Sequence, residues 1–368
     1  MANEKITIKM VSEKAKVSKT TVSRFLNGKF EFMSAETKKR IQEVIDELDY
    51  RPNAMAQSLK NNKTGLIGIV VDNIADFSTS KLIKGANDAC QKKSFQLIMV
   101  DTDNNPEKAR EYIQLLIDRQ VEGMILNTLN VDHQFVEGLK SQDLKVVLAN
   151  ILLDGNTADK VAVDHEKPIF EMLKKIYAEG FEKVGFFSQS LNHNSEVLKH
   201  KLFIEGSKSF VENVEELIYV IDEQMSGIDA YQQALQVFLE QNKSSKLAVF
   251  AENEVVMLNL VSAISRLGLQ IPEDIGICGY DKFGFNEIVN GEMSVIANPS
   301  YQVGKQAAEL LIKRIAKGKD QYKPRQVDAQ SEIIMNDSMK INENSFDKLV
   351  RSINEENQLI VKNYTKRS

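Results

Sequence analysis

Short apolar runs alternate with amphipathic helical patterns from Gly65 to about Ala297, and no other feature narrows the possible folds as much. Each run is three to six residues long, which suits a strand that is covered on both faces. Strands that alternate with helices are typical of parallel βα units. The predicted strands are 66–71, 96–100, 123–126, 145–148, 161–163, 184–187, 217–221, 247–250, 275–278 and 295–297. These strands can form one large sheet or two smaller ones.

The charge of the chain is distributed unevenly. Residues 1–63 contain 13 Lys and Arg against 8 Asp and Glu, a net charge of +5, so the net charge of −5 for the whole chain leaves −10 for the remainder. A basic module on an acidic body fits a protein that touches a polyanion at one end. The first residues are rich in charge and no long apolar run occurs, so we predict neither a signal peptide nor a membrane span. We therefore expect a cytoplasmic protein.

Three short helices are predicted before residue 50. Thr7, Ser18 and Ser34 each precede a helical pattern and are suited to cap it. The second helix, residues 19–26, turns its apolar side chains to one side and leaves small, polar and cationic side chains on the other. Three helices around one core, with a tight turn after the first, form the helix-turn-helix arrangement.

The polar face of the second helix has the chemistry to read DNA. Arg24 could donate two hydrogen bonds to guanine O6 and N7 in the major groove, while Lys19 and Thr20 reach neighbouring base edges. Further polar side chains suit phosphate oxygens: Thr7, Ser18, Thr21, Ser23 and Asn27. The alternative from these residues alone is a solvated polar helix face.

Residues 17–27 (VSKTTVSRFLN), 37–41 (TKKRI) and 50–59 (YRPNAMAQSL) form a long, ordered pattern. This pattern resembles the headpiece and hinge of the lactose-repressor/galactose-repressor family of bacterial transcription regulators. The resemblance extends to about residue 337. Met10 and Ser12 depart from the acidic and the small apolar residue usual in the family, so we expect a slightly weaker first helix. The run 25–30 with Met33 also resembles repressors of ketogluconate catabolism.

The resemblance implies a hinge helix that orders on DNA and inserts a leucine wedge into a minor-groove step. Leu59 stands at the matching position, and Asn53 and Ala56 belong to the same predicted DNA-binding set. From the residues alone, this segment could equally be an ordinary linker helix. A helix so short is marginal in water by itself.

The resemblance also implies the fold class: an all-α helix-turn-helix headpiece, then an α/β domain like the type I periplasmic binding proteins, with two Rossmann-like parallel sheets joined by three crossovers. We expect the headpiece at 1–50, the hinge and linker at 51–63, and the effector-binding and dimerisation domain at 64–340. The lobe near DNA is expected at 64–161 and 292–321, and the distal lobe at 162–291 and 322–340. Residues 341–368 form an extension with an amphipathic pattern.

Parallel sheets bind ligands beyond the carboxyl ends of their strands, so two lobes place two such rims face to face. Asp72, Ser78 and Asn127 follow predicted strands, although a polar residue there is often only a turn residue. The resemblance implies that Asn253 and Asp281 bond polyol hydroxyls and that Phe77 forms an aromatic wall. It also places Lys201 where the family has an arginine, and Asn298 where Gln or Arg is usual.

These departures bear on the chemistry of the effector. A cationic Lys201, with His193 and His200 nearby in sequence, would suit a carboxylate or a phosphate. A sugar acid is therefore as plausible an effector as a neutral sugar.

Enzymatic function is not expected. The sequence contains no dinucleotide-binding, phosphate-loop, nucleophile-elbow or zinc-protease motif. We expect no catalytic residue, no cofactor and no metal site.

The expected partners are a pseudo-palindromic DNA operator, a sugar or sugar-acid effector, and a second copy of the chain. One headpiece reads only a half-site, so a homodimer is predicted; self-association of the C-terminal pattern would make it a tetramer. Repression is the leading hypothesis. An activator, a co-repressor-dependent regulator, a sensor of a phosphoprotein partner and a transport-type sugar-binding protein are the alternatives.

Overall fold

The computed structural model describes residues 6–340 apart from residues 32, 52–62, 129–130, 152, 154, 156, 190–193, 222–226, 281–292 and 318–322. The predicted hinge residues Asn53, Ala56 and Leu59, the predicted effector contact Asp281, and the C-terminal extension lie outside the described residues. The chain divides into two compact units, residues 1–66 with 120–122 and residues 67–119 with 123–368.

The headpiece consists of α1 (Ile8–Lys14), α2 (Lys19–Leu26) and α3 (Ala35–Glu47). All three predicted N-caps are confirmed, because each hydroxyl oxygen accepts a hydrogen bond from a backbone N–H of the first helical turn. The bond at the cap of α1 is long, 3.4 Å from Met10 N. The helices enclose a small core of Val11, Ala15, Val22, Ile41, Val44 and Tyr50.

The first sheet of the body has the strand order β11-β5-β4-β3-β1-β2. Its strands are β1 (Leu66–Val71), β2 (Gln96–Asp101), β3 (Gly123–Asn127), β4 (Lys145–Ala149), β5 (Asp159–Val163) and β11 (Gln326–Ala329). The helices of this lobe are α4 (Phe77–Gln91), α5 (Pro106–Asp118), α6 (His133–Ser141) and α11 (Ser300–Lys317). The strands pair in parallel from β1 through β3, β4 and β5 to β11.

The second sheet has the order β12-β10-β9-β8-β6-β7. Its strands are β6 (Lys183–Ser188), β7 (Ile218–Val220), β8 (Leu247–Ala251), β9 (Gly276–Tyr280), β10 (Ser294–Ala297) and β12 (Glu332–Ile334). The helices of this lobe are α7 (Glu166–Ala178), α8 (Asn194–Ser207), α9 (Ile228–Gln241) and α10 (Glu254–Arg266). Only β12 departs from parallel pairing among the described strands of this sheet, because it runs antiparallel to β10.

The chain passes between the two sheets after β5, after β10 and after β11, so the three expected crossovers are confirmed. The expected lobe boundaries at 292–321 and 322–340 were wrong for two strands. β10 pairs with β9 in the second sheet, whereas β11 pairs with β5 in the first. The carboxylate of buried Asp159 explains part of this arrangement, since it binds the Arg314 guanidinium at 2.5 and 2.8 Å and accepts the Arg325 N–H at 2.7 Å.

Helices α4 and α11 lie unusually close together on the first sheet. A Cβ at Gly304 would overlap the backbone oxygen of Leu82, and one at Gly85 would overlap that of Tyr301. The two glycines therefore let the helix backbones touch directly. This contact sets the position of the amino ends of both helices, where polar residues gather.

Candidate functional site

The outer face of α2 presents the side chains that were predicted to read DNA. Lys19, Thr20 and Arg24 are exposed, whereas Val22 is fully buried in the headpiece core. The core therefore fixes the rotation of α2, so that the cationic face points to solvent. A guanidinium in this position is free to make the two parallel hydrogen bonds that recognise guanine.

The neighbouring polar groups also hold the helix ends. The Ser18 oxygen accepts the Thr21 N–H at 3.0 Å and lies 2.9 Å from the Thr21 hydroxyl. At the other end, the Asn27 amide donates to the Ser23 carbonyl at 2.7 Å. Thr7, Ser18 and Asn27 are exposed and half-buried Thr21 and Ser23 lie beside them. Phosphate contact by these five groups stays a prediction.

A partly open pocket lies at the carboxyl edge of the first sheet, where the space between the protein atoms is about 260 Å³ including its opening to solvent. Its lining is mostly amides and hydroxyls: Ser78, Thr79, Leu82, Asn127, Asn150, Val163, Asn298, Ser300 and Val303. The first turns of α4 and α11 contribute Ser78 and Ser300, the last residue of β3 is Asn127, and Asn150 directly follows β4. No side chain carries a charge among the described residues of the lining, so this part of the pocket is suited to hydroxyl groups.

Three of the predicted effector residues meet in this pocket, and two lie beside it. Ser78, Asn127 and Asn298 belong to the lining. The Asp72 carboxylate instead bonds the hydroxyls of Thr102 and Thr128, which ties the ends of β1, β2 and β3 together. Phe77, at the first position of α4, leaves 49% of its surface exposed.

The carboxyl edge of the second sheet carries a buried ion pair. Lys199 Nζ lies 2.7 Å from Glu252 Oε1, and the two side chains are only 9% and 2% exposed. Asn253, a predicted effector residue, follows Glu252 and caps α10 by accepting the Val256 N–H at 3.0 Å. Its amide donates to Glu252 Oε2 at 2.7 Å.

Buried aromatic and imidazole groups surround this pair. Lys199 Nζ lies 4.4 Å from the centre of the Tyr280 ring, and the Tyr280 hydroxyl is 3.1 Å from His165 Nδ1. Burial, with a smaller contribution from the positive charge of Lys199, lowers the pKa of His165 to about 3. The imidazole is therefore neutral at physiological pH. Its Nε2 and the Ser188 hydroxyl are buried and have no hydrogen-bond partner among the residues that the structure describes.

Lys201 does not join this group. It lies two residues beyond Lys199 on α8, about 200° around the helix, and its side chain is 70% exposed and 3.9 Å from Glu205. His200 packs near the Phe186 ring, and burial lowers the pKa of its imidazole. Of the three side chains that favoured an acidic effector, Lys201 is thus exposed away from this group, burial disfavours the charged form of His200, and His193 lies outside the described residues.

Sequence reasoning did not select several of these residues as effector contacts, although Thr79, Asn150 and Glu252 stand among the polar residues after predicted strands. Asn150 and Glu252 directly follow strands, and Thr79 and Ser300 stand in the first turn of a helix after a strand. Such a polar residue just beyond the carboxyl end of a strand is the sequence signal that could have identified all four. Lys199 and His165 gave no comparable signal, because nothing local tells which helical residue faces the sheet edge.

Models of known protein families match both the headpiece and the two-lobed body. A model of the lacI family of bacterial regulatory proteins matches residues 7–53. A model of periplasmic binding proteins and the sugar binding domain of the LacI family matches residues 63–336, well over half of the chain. The chain belongs to the LacI family. Family members are DNA-binding transcription regulators rather than enzymes, and so is this protein.

The chain is similar to individual members over nearly its whole length. HTH-type transcriptional regulator KdgR of Bacillus subtilis (strain 168) is 33% identical over 333 residues, which cover 90% of this chain and 97% of that protein. The lac repressor dimer bound to operator and the anti-inducer ONPF matches with a TM-score of 0.77 at 18% identity, over 92% of this chain and 100% of that one. The transcriptional regulator CelR–cellobiose complex matches with a TM-score of 0.64 at 21% identity, over 90% and 99%. These two structural matches establish the fold of this LacI-family chain.

Neither a membrane-spanning helix nor a cluster of metal ligands occurs in the described part of the chain. No helix there is long and apolar enough to cross a membrane. Nor does it contain a group of three or more His, Cys, Asp or Glu side chains that could hold a metal ion.

Proposed function

We propose that this LacI-family regulator represses an operon of carbohydrate catabolism and leaves its operator when a sugar or sugar acid binds at the facing rims of the two lobes. The observation that carries this proposal is the uncharged pocket of amides and hydroxyls in a domain that matches a sugar-binding family. Asparagine amides both donate and accept hydrogen bonds, as sugar hydroxyls do. The cellobiose in the CelR complex is consistent with such a ligand.

The predicted contacts divide between the two rims. Ser78, Asn127 and Asn298 would bind the effector from the first lobe, and Asn253 with Asp281 from the second. The exposed position of Lys201 removes one argument for an acidic group on the effector. A neutral sugar therefore fits the described residues at least as well as a sugar acid.

The headpiece would read a pseudo-palindromic operator as part of a homodimer, since one copy presents only one α2. Asn53, Ala56 and Leu59 would form the hinge helix that inserts Leu59 into the minor groove. Because bacterial operators lie in the cytoplasm, the protein would act there.

A screen of small molecules tests this proposal. Thermal unfolding of the full chain is measured with glucose, ribose, cellobiose, gluconate, ketogluconate and glucose phosphate. A ligand at 100 times its Kd adds about 2.7 kcal/mol to the free energy of unfolding. Operator binding is then measured with each compound that stabilises the protein. Release from the operator is expected, whereas tighter binding would make the compound a co-repressor and contradict the proposal.

The pocket itself is tested with Asn127→Ala. We expect this variant to bind operator like the wild type and to require about tenfold more effector for release, because one hydrogen bond to the ligand is lost. The matched control is Asn242→Ala, which removes an amide that donates to the Phe238 carbonyl at the end of α9. An Asn127→Ala protein that responds like the control would place the effector elsewhere.

A further inference from the structure

Burying the Lys199–Glu252 pair at the edge of the second sheet costs free energy, because both charges lose contact with water. Removing two charges from water costs several kcal/mol per ion, and apolar side chains of similar volume often replace such pairs without loss of stability. A contribution to folding stability therefore does not by itself explain why this pair is buried here. Its position beside Asn253, at the rim of the second sheet, indicates another role.

The geometry connects the pair directly to Asn253. Lys199 Nζ donates to Glu252 Oε1 at 2.7 Å and to the Glu252 carbonyl at 3.2 Å, which holds the glutamate both by its side chain and by its backbone. Glu252 Oε2 then accepts from Asn253 Nδ2 at 2.7 Å. One oxygen of the carboxylate therefore accepts from Lys199, and the other accepts from Asn253.

This connection fixes which way the Asn253 amide faces. A carboxylate only accepts hydrogen bonds, so it selects the NH2 end of the amide, and the Val256 N–H selects the oxygen end. An amide has two N–H donors and two oxygen lone pairs. Within the described part of the chain, the two bonds to the protein use one of each, so that one donor and one lone pair of the half-buried amide remain for a ligand.

We infer that Lys199 and Glu252 are positioning residues of the effector site, which orient the Asn253 amide so that it can both donate to and accept from one sugar hydroxyl. This inference rests on the proposed function. The glutamate matches the lysine charge and the nearby His165 is uncharged, so these three groups present no net positive charge to a ligand. The second rim is therefore matched to a hydroxyl group rather than to a carboxylate of the ligand.

The test uses the full-length protein and the double variant Lys199→Met with Glu252→Met. These side chains fill similar volume without leaving a buried unpaired charge, so the protein is expected to fold with little change in Tm. Operator affinity without effector should also be unchanged. The concentration of the most effective screened sugar that releases half of the operator should rise about tenfold, since the Asn253 amide loses the carboxylate that holds its NH2 end and is held by the Val256 N–H alone.

The control double variant is Arg266→Met with Asp229→Met. It removes an ion pair of 2.7 Å at the other end of α10, in the same lobe but away from Asn253. It is expected to respond to the sugar like the wild type. If the Lys199–Glu252 variant also responds like the wild type, the inference is overturned.

A charge swap, Lys199→Glu with Glu252→Lys, separates positioning from charge pairing. The swap can restore the ion pair, yet a lysine at position 252 has only donors and cannot accept from Asn253. A response that stays about tenfold weaker supports the inference, and recovery of the wild-type response overturns it. If no screened carbohydrate releases the wild type, the proposed function falls together with this inference. Normal release of the wild type and of every variant contradicts the inference alone.

Discussion

We predict that sequence reading by the headpiece depends on Arg24. It is exposed on α2, and its planar guanidinium matches guanine O6 and N7 as no other side chain of the helix does. Arg24→Ala is expected to cost about 1–3 kcal/mol of operator binding and to relax base preference at one operator position. Selection from random duplexes measures that preference.

Lys39→Ala provides the control for a general loss of positive charge. Lys39 lies on α3, where its exposed side chain is 3.9 Å from Glu43. This variant should retain the wild-type base preference. An Arg24→Ala protein with an unchanged preference at every position would exclude Arg24 from base recognition.

His165 makes the stability of the folded protein depend on pH. Its pKa is lowered to about 3 by burial, whereas an unperturbed imidazole has a pKa of about 6.5. Between these values the unfolded chain binds a proton that the native protein does not, so stability falls as the pH falls. The contribution approaches about 1.4 kcal/mol per pH unit well inside this window.

His165→Gln is therefore expected to lessen the loss of stability between pH 6.5 and pH 5, by about 1–2 kcal/mol. Denaturant unfolding at several pH values measures this slope. His133→Gln, which removes an exposed histidine at the start of α6, is the matched control. Equal slopes for His165→Gln and the wild type would show that His165 titrates normally in the native protein.

At the scale of elements, the contact between α4 and α11 positions one side of the pocket. Both helices bring their first turns to the lining, through Ser78 and Ser300. Their close approach depends on the absence of a Cβ at Gly85 and Gly304. Backbone atoms cannot move aside as a flexible side chain can, so any side chain there separates the helices.

Gly304→Ala is expected to destabilise the protein by about 3 kcal/mol or more, in the range of severe overpacking. Gly138→Ala, in the helix α6 with open space around the position, should instead stabilise it by about 0.5–1 kcal/mol. Chemical denaturation of the two variants gives both values. Similar changes in the two variants would contradict the close contact between the helices.

At the scale of the whole molecule, two chains should occupy one operator. Each chain has a mass of 41.5 kDa, so sedimentation of the complex with a palindromic duplex should give the mass of two chains and one duplex. A duplex with one half-site should bind about 100-fold more weakly, because the second headpiece no longer binds at high effective concentration. Equal affinity for both duplexes would mean that a single headpiece suffices.

Local features of the fold could be predicted from the sequence. The caps Thr7, Ser18 and Ser34 act on their own helices, and the alternation of strands and helices is a matter of local periodicity. The locations of β10 and β11 could not be predicted in this way. Asp159 and Arg325, which hold β11 beside β5, are 166 residues apart, and no local pattern specifies such a pairing.

The sequence by itself determined the polar, exposed face of α2 and the polar ends of the strands, because each depends on spacing within one short segment. Only the tertiary structure decided which of these groups meet. Packing of α8 against the second sheet buries Lys199 and leaves Lys201 in solvent. The rotation of a helix about its axis is set by the whole core beneath it, and it decides which of two nearby lysines reaches the rim.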